Sequence, residues 1–142
     1  MPSGAKCNSY LYFTFRGEEF DTKSITAELK IQPTAVKIKQ DPVPKSTSWD
    51  FRISVGEEID LETPLERLIE ILEPKTNAIN SLKAKYQLET VLQFVIEIDV
   101  NPQASTPYFG LNKRALNFLN QTATEVDYDL YKADPAGIIT AE

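Results

Sequence analysis

The amino-acid sequence predicts a single α+β domain in which one β-sheet carries helices on one face. Two kinds of pattern indicate this. Several segments alternate apolar and polar residues, which is the pattern of strands with one buried face. Between them lie segments whose apolar residues recur every three or four positions, as in amphipathic helices. The chain has 142 residues, a length that suits one domain with one core.

Five strands are predicted, over residues 10–16, 34–39, 49–55, 90–100 and 124–131. The segment at 49–55 alternates most cleanly, the segment at 90–100 is the longest, and the segment at 34–39 suits a short edge strand. The residues placed inward are Leu11, Phe13, Phe15, Trp49, Phe51, Ile53, Val55, Leu92, Phe94, Ile96, Ile98, Val100, Val126, Tyr128 and Leu130. The opposite face of the sheet is therefore expected to be open to solvent.

The first and last helices are marked by residues that cap their N-termini. Asp21 is a suitable N-cap for the first helix, which is expected to end before Pro33 because proline disfavours a helical residue before it. The last helix is short and amphipathic, with Leu111, Ala115, Phe118 and Leu119 as its apolar residues and Asn112 as a suitable cap.

A longer helical region lies in the middle of the chain. Thr63, Pro64 and Glu66 have the pattern of a capping box with proline at the first helical position. Pro74 is expected to end or kink this helix. A second helical segment then covers residues 75–87.

The predicted element order is β-α-β-β-α-β-α-β, a variant of the ferredoxin-like arrangement with a mostly antiparallel sheet. No repeat and no long linker divides the chain, so residues 1–142 are expected to form one domain. We expect its ordered core to cover residues 8–132 and residues 133–142 to form a flexible tail.

Trp49 is the only tryptophan of the chain. It alternates in step with Phe51 and Ile53, so it belongs to the strand's buried face. We expect it to cover one end of the core, with its indole N–H donating to a loop carbonyl.

Charge and composition exclude several classes of function. The net charge is −6, from 21 acidic and 15 basic residues, which opposes binding to nucleic acid. The single cysteine cannot form an intramolecular disulfide, which favours a reducing compartment. No apolar run could cross a membrane and no signal-peptide pattern is present, so we expect a cytoplasmic protein without a membrane partner.

The chain contains no histidine, which removes the usual general base and the commonest metal ligand. Serine triads, HExxH zinc sites and Cys–His nucleophiles are therefore excluded. The five glycines form no phosphate-binding loop. We expect no cofactor, and an enzyme is less favoured than a binding protein.

Several short motifs occur together in a characteristic order. They are YFTFRG at 12–17, KIQPT at 30–34, the isolated Trp49, LxxLIEILEPK at 65–75, PxxxLxxxxLxxL at 107–119 and DYDLY at 127–131. In this order the chain resembles the bacterial family called domain of unknown function 4279. One departure is NQTAT at 120–124, where the resemblance implies a small residue and a glycine. The resemblance implies a small α+β fold of bacterial cytoplasmic type and no established activity.

The best candidate site is a polar surface on the outward side of the strands. Acidic residues of the two late strands share this surface if those strands are neighbours. Aromatic and basic residues of the early strands add to it. The candidate interaction surface consists of Tyr10, Tyr12, Arg16, Asp50, Arg52, Glu97, Asp99, Glu125, Asp127 and Asp129.

Four interpretations of this surface remain open. A protein-interaction module would use it to bind a basic partner, as an acidic immunity protein binds a basic toxin. A small-molecule or cation binder would hold Mg²⁺ or Ca²⁺ between its carboxylates. A histidine-free enzyme would use paired carboxylates such as Asp127 and Asp129. In the fourth, the surface is only solvated, and Arg16 and Arg52 partly neutralise its acids.

A homodimer is a separate expectation. Val36 and Ile38 lie on the predicted edge strand, and an exposed edge can pair with its copy in a symmetric dimer.

Overall fold

The structure is a computed structural model that describes residues 9–54 and 60–134. Its elements are β1 (Tyr10–Gly17), α1 (Thr22–Leu29), β2 (Ala35–Lys37), β3 (Thr47–Ser54), α2 (Glu62–Leu72), a 3₁₀ turn (Glu73–Lys75), α3 (Thr76–Tyr86), β4 (Glu89–Asp99), α4 (Lys113–Gln121) and β5 (Glu125–Ala133). The predicted element order is confirmed, with the 3₁₀ turn at Pro74 dividing the central helical region into α2 and α3. Val55, predicted to face inward, lies outside the described residues, as does most of the predicted tail, whose first residue, Ala133, ends β5.

The five strands form one mixed sheet with the order β2-β3-β1-β4-β5. The pairs β2–β3, β3–β1 and β1–β4 are antiparallel, and β4–β5 is parallel. The first four strands have the neighbours expected of a ferredoxin-like sheet, although β2 has only three residues. The fifth strand extends this arrangement beyond β4 through the crossover helix α4.

All four described helices pack on the same face of the sheet, which we call the inner face; the opposite side is the outer face. The core contains Leu11, Phe13 and Phe15 of β1 together with buried residues of every helix, such as Ile25, Leu68, Ile79 and Phe118. The predicted α+β fold with helices on one face is confirmed.

The caps of α1 and α4 agree with prediction, but the capping box at Thr63 is wrong. Asp21 and Asn112 accept hydrogen bonds from the first-turn N–H groups of Lys23 and Ala115. α2 instead begins at Glu62, preceded by Leu61, which has no side chain that can cap. The buried Leu61 donates its N–H to the Tyr108 carbonyl at 2.8 Å, so contact with a distant loop starts the helix early.

β5 departs from the expected burial. Val126, Tyr128 and Leu130 do lie on the inner face, but Tyr128 is 39% exposed and Leu130 is 50% exposed. α4 and β5 have nine residues each. Nine residues span about 14 Å as a helix and about 30 Å as a strand, so α4 is too short to cover β5 along its whole length.

The NQTAT segment has no glycine in the turn between α4 and β5, and alanine takes the conformation that would suit a glycine. Ala123 has φ of 48°, in the left-handed region that glycine adopts without steric cost. The Lys83 ammonium group donates to the carbonyls of Thr122 and Ala123 and so holds this turn in place. Burial lowers the pKa of Lys83.

Ala123→Gly is therefore expected to stabilise the protein by about 1 kcal/mol, because it removes the strain of a Cβ atom at positive φ. Urea unfolding followed by circular dichroism measures the change. The matched control is Ala84→Gly, at an exposed position in α3, which is expected to lose about 1 kcal/mol. A loss of stability in both variants would contradict this explanation of the turn.

Within residues 9–54 and 60–134, no helix is long and apolar enough to cross a membrane.

Candidate functional site

The outer face of the sheet carries all ten residues of the predicted interaction surface. They alternate along their strands with the core residues of the inner face, which is why the period-two pattern could place them on one side. The strand pairing aligns Arg52, Tyr12, Gln93 and Asp127 in one row across four strands. The structure therefore brings the ten together on one surface, in an arrangement that the sequence pattern could not give.

The outer face divides into two halves of opposite charge. The basic half is formed by the outward residues of β2, β3 and β1, whose charged members are Lys37, Asp50, Arg52 and Arg16. The acidic half is formed by the outward residues of β4 and β5, whose charged members are Glu89, Glu97, Asp99, Glu125, Asp127 and Asp129. The acidic half contains no lysine and no arginine.

Contacts within the basic half hold the Arg52 side chain in place. The Arg52 guanidinium lies 3.6 Å from the centre of the Tyr10 ring, in cation–π geometry. Tyr10 in turn stacks on Tyr12, with ring centres 6.2 Å apart. Burial raises the pKa of Tyr12, and the nearby negative charge of Asp50 raises it further.

The partial neutralisation by Arg16 and Arg52, which belongs to the solvated-surface interpretation, reaches Glu89 of β4 but not the acids of β5. Arg16 pairs with Glu89, the first residue of β4, at 3.4 Å, and Arg52 stacks on Tyr10. β1 and β4 lie between Arg52 and β5, which places Arg52 about 14 Å from Asp127 at the usual spacing of strands. The arginines therefore leave the β5 carboxylates without a basic neighbour on the outer face.

Glu97 and Asp99, at the end of β4, accept hydrogen bonds from nearby residues. The Tyr131 hydroxyl donates to Glu97 Oε2 at 3.4 Å. The pKa of Tyr131 is raised, by partial burial first and by the charge of Glu97 second. Asp99 accepts a hydrogen bond from the Asn101 N–H at 2.9 Å and so forms part of the turn that follows β4.

Glu125, Asp127 and Asp129 form the exposed part of the acidic half, and we call them the β5 acidic row. Their cross-strand neighbours on β4 are Val91, Gln93 and Val95, none of which is charged. Successive carboxylates along a strand face are about 7 Å apart. The β5 acidic row is therefore extended, and its carboxylates do not converge on a point.

This spacing bears on the cation hypothesis. Ca²⁺ and Mg²⁺ bind oxygen ligands at about 2.0–2.6 Å, so their ligands must converge on one position. Among the residues that the structure describes, no group of three or more acidic or cysteine side chains could hold a metal ion.

A shallow depression lies over the basic half, lined in part by Tyr12, Lys37, Asp50 and Arg52. Its volume is about 190 Å³. Pockets that bury a small-molecule ligand usually enclose about 300–1,000 Å³. The depression is therefore smaller than a typical ligand pocket.

Sequence reasoning missed the exposed apolar edge that accompanies the β5 acidic row. Tyr128 stacks on Phe94, with ring centres 5.0 Å apart, and its ring centre lies 5.6 Å from that of Phe109. Leu130 lies further along the strand and is half exposed. A signal was present in the sequence, because the predicted last helix is too short to cover the predicted last strand.

Fold and surface together define a small α+β domain with one open, charge-divided sheet face. The chain belongs to the family described as Domain of unknown function (DUF4279), whose sequence model matches residues 5–133. The predicted family is thereby confirmed. No curated protein matches the chain, and no solved structure does.

Proposed function

We propose that this protein is a non-enzymatic interaction module that binds a basic protein through the acidic half of its outer face. The observation that carries the proposal is the β5 acidic row, which is exposed and has no basic side chain beside it on that face within residues 9–54 and 60–134. An extended row of carboxylates complements a partner with several separated Lys or Arg side chains. An acidic immunity protein that neutralises a basic toxin is one example of such a pair, and a bacterial cytoplasm is the expected setting.

Electrostatics also gives a reason for selectivity. The carboxylates of the β5 acidic row lie about 7 Å apart on one exposed face and repel one another weakly through water. A basic partner would relieve this repulsion on binding, whereas an acidic protein or a nucleic acid would increase it. A nucleic acid is therefore not expected to bind the acidic half.

The enzyme hypothesis receives less support. General acid–base catalysis by two carboxylates requires environments that separate their roles. Asp127 and Asp129 are both exposed and lie on the same strand face. Asp127 lies opposite Gln93 and Asp129 opposite Val95, and both are exposed, so neither has the buried environment that such a separation of roles uses.

The test is capture from a lysate of the native host with three immobilised proteins: the wild type and two variants that each lose three negative charges. The site variant is Glu125→Gln, Asp127→Asn, Asp129→Asn. The control variant is Glu28→Gln, Glu66→Gln, Glu70→Gln, which removes exposed acids from α1 and α2. We expect one basic protein to be captured in stoichiometric amount by the wild type and the control, and lost from the site variant.

Two results would reject the proposed function. One is the absence of any stoichiometric partner on the wild type. The other is a partner that all three proteins capture equally, because the β5 acidic row would then play no part in its binding.

A further inference from the structure

β5 lies at the edge of the sheet, and within the described residues no strand pairs with its outer side. One hydrogen bond shows which backbone groups of β5 point toward β4. The Ala133 carbonyl accepts from the Val100 N–H, so the backbone groups of Ala133 point toward β4. Backbone groups of alternate residues in a strand point to opposite sides. The backbone N–H and C=O groups of Tyr128, Leu130 and Lys132 therefore point away from β4. A further strand on that side could pair with them.

The two sides of this edge differ in chemistry. On the outer face, Asp127 and Asp129 are exposed carboxylates. On the inner face, Tyr128 and Leu130 are apolar and 39% and 50% exposed, since α4 ends short of them. The ring of Tyr128 is held by stacking on Phe94. A strand lying beside residues 127–130 of β5 would meet acids on one side and a mostly apolar surface, Tyr128 and Leu130, on the other.

We propose that the basic partner binds by adding a β-strand to the outer edge of β5, with residues that alternate between basic and apolar. This inference rests on the proposed function, and it specifies the partner's chemistry and the way it binds. The basic side chains would lie next to the β5 acidic row, and the apolar ones would cover Tyr128 and Leu130. Backbone hydrogen bonds would supply affinity, and the alternation would supply selectivity.

Charge argues against a second copy of this chain as the occupant. If two β5 strands paired antiparallel about a two-fold axis, their acidic faces would lie on the same side of the joined sheet. Asp127 and Asp129 of one copy would then face carboxylates of the other, and opposed like charges destabilise strand pairing. A strand with lysine or arginine at those positions converts this repulsion into attraction.

The test uses two eight-residue peptides of identical composition. One alternates Lys and Val at every position, and the other repeats Lys-Lys-Val-Val, which cannot place all its lysines on one face of a strand. Amide hydrogen exchange of the full chain is followed by NMR at Tyr128, Leu130 and Lys132. At ten times its Kd, the alternating peptide is expected to slow exchange at these amides about tenfold, and the control peptide to leave it unchanged.

A pair of variants at Leu130 separates backbone pairing from side-chain contact. Leu130→Pro removes an N–H that points outward and leaves the hydrogen bonds to β4 intact, so proline is tolerated at this edge position. Leu130→Ala removes the apolar side chain and keeps the N–H. In the proline variant, we expect the alternating peptide no longer to slow amide exchange at Tyr128 and Lys132. In the alanine variant, we expect it to slow exchange at these amides less than in the wild type.

Several results would overturn strand addition. Equal protection by both peptides would mean that charge alone drives binding, and the proposed function would stand without this inference. Strand addition is likewise rejected if neither peptide protects these amides while the host partner is still lost from the site variant. Slow exchange in the free protein at every concentration would show that the chain covers its own edge. Slow exchange only at high concentration would identify a second copy.

Discussion

Trp49→Ala is expected to lower the free energy of unfolding by about 3–5 kcal/mol, the usual cost of truncating a fully buried aromatic side chain. Trp49 is completely buried and meets the Phe15 ring edge-on, with ring centres 5.6 Å apart. A domain of this size is stable by about 5–15 kcal/mol, so the loss is a large part of the total. Urea unfolding followed by circular dichroism measures it without the tryptophan signal.

Two variants divide this loss between packing and hydrogen bonding. The indole N–H donates to Thr26 Oγ1 of α1 at 3.0 Å, and not to a loop carbonyl as predicted. Thr26→Val leaves the N–H without an acceptor and is expected to cost about 1–3 kcal/mol. Trp49→Phe removes the indole N–H but keeps an aromatic ring in the core, so it is expected to cost less than Trp49→Ala. A cost below about 1 kcal/mol for Trp49→Ala would contradict the placement of this residue in the core.

Reversing two charges of the β5 acidic row is expected to have the largest effect on binding. Asp127→Lys with Asp129→Lys should weaken binding of the captured partner by about 2 kcal/mol or more, about 30-fold, because attraction becomes repulsion. Isothermal titration calorimetry with the purified partner measures the change. Raising the salt concentration should weaken binding of the wild type, since exposed charges are screened.

The matched control is Glu66→Lys with Glu70→Lys, which reverses the same number of charges on α2. This variant should bind within about twofold of the wild type, because charges outside an interface contribute little at physiological salt. If the two variants lose affinity equally, net charge and not the position of the acids governs binding, and the assignment of the site is wrong.

Patterns within a single strand or helix allowed most of the fold to be predicted. The alternation in β1, β3 and β4 identified the residues on their inner face, and Asp21 and Asn112 identified the starts of two helices. Each of these signals is local, because a side chain's face or a cap depends on a few neighbouring residues. The ten surface residues could be placed on one face for the same reason.

Features that depend on neighbours distant in the sequence could not be predicted. The pairing of Arg16 with Glu89 requires the β1–β4 register, and the separation of Arg52 from β5 requires the strand order. α2 begins before Thr63 because Leu61 binds the backbone of Tyr108. The division of the outer face into a basic and an acidic half likewise arises only from the order of the strands.

The expected homodimer remains a prediction. β2 is an edge strand, and Val36 and Ile38 are exposed, so the feature on which the dimer depends is present. Only the three residues of β2 could pair with a copy, which is short for a stable strand interface. Sedimentation of a single 16.0 kDa species would exclude this dimer.

Carboxyl labelling read by mass spectrometry tests the central claim most directly. The protein is treated with a carbodiimide and a glycine ester, alone and in complex with the captured partner. If the β5 acidic row is the binding site, labelling of Glu125, Asp127 and Asp129 falls in the complex, while Glu66 and Glu70 on α2 keep their labelling. Unchanged labelling on β5, or a loss confined to the helices, would contradict the claim that this row binds the partner.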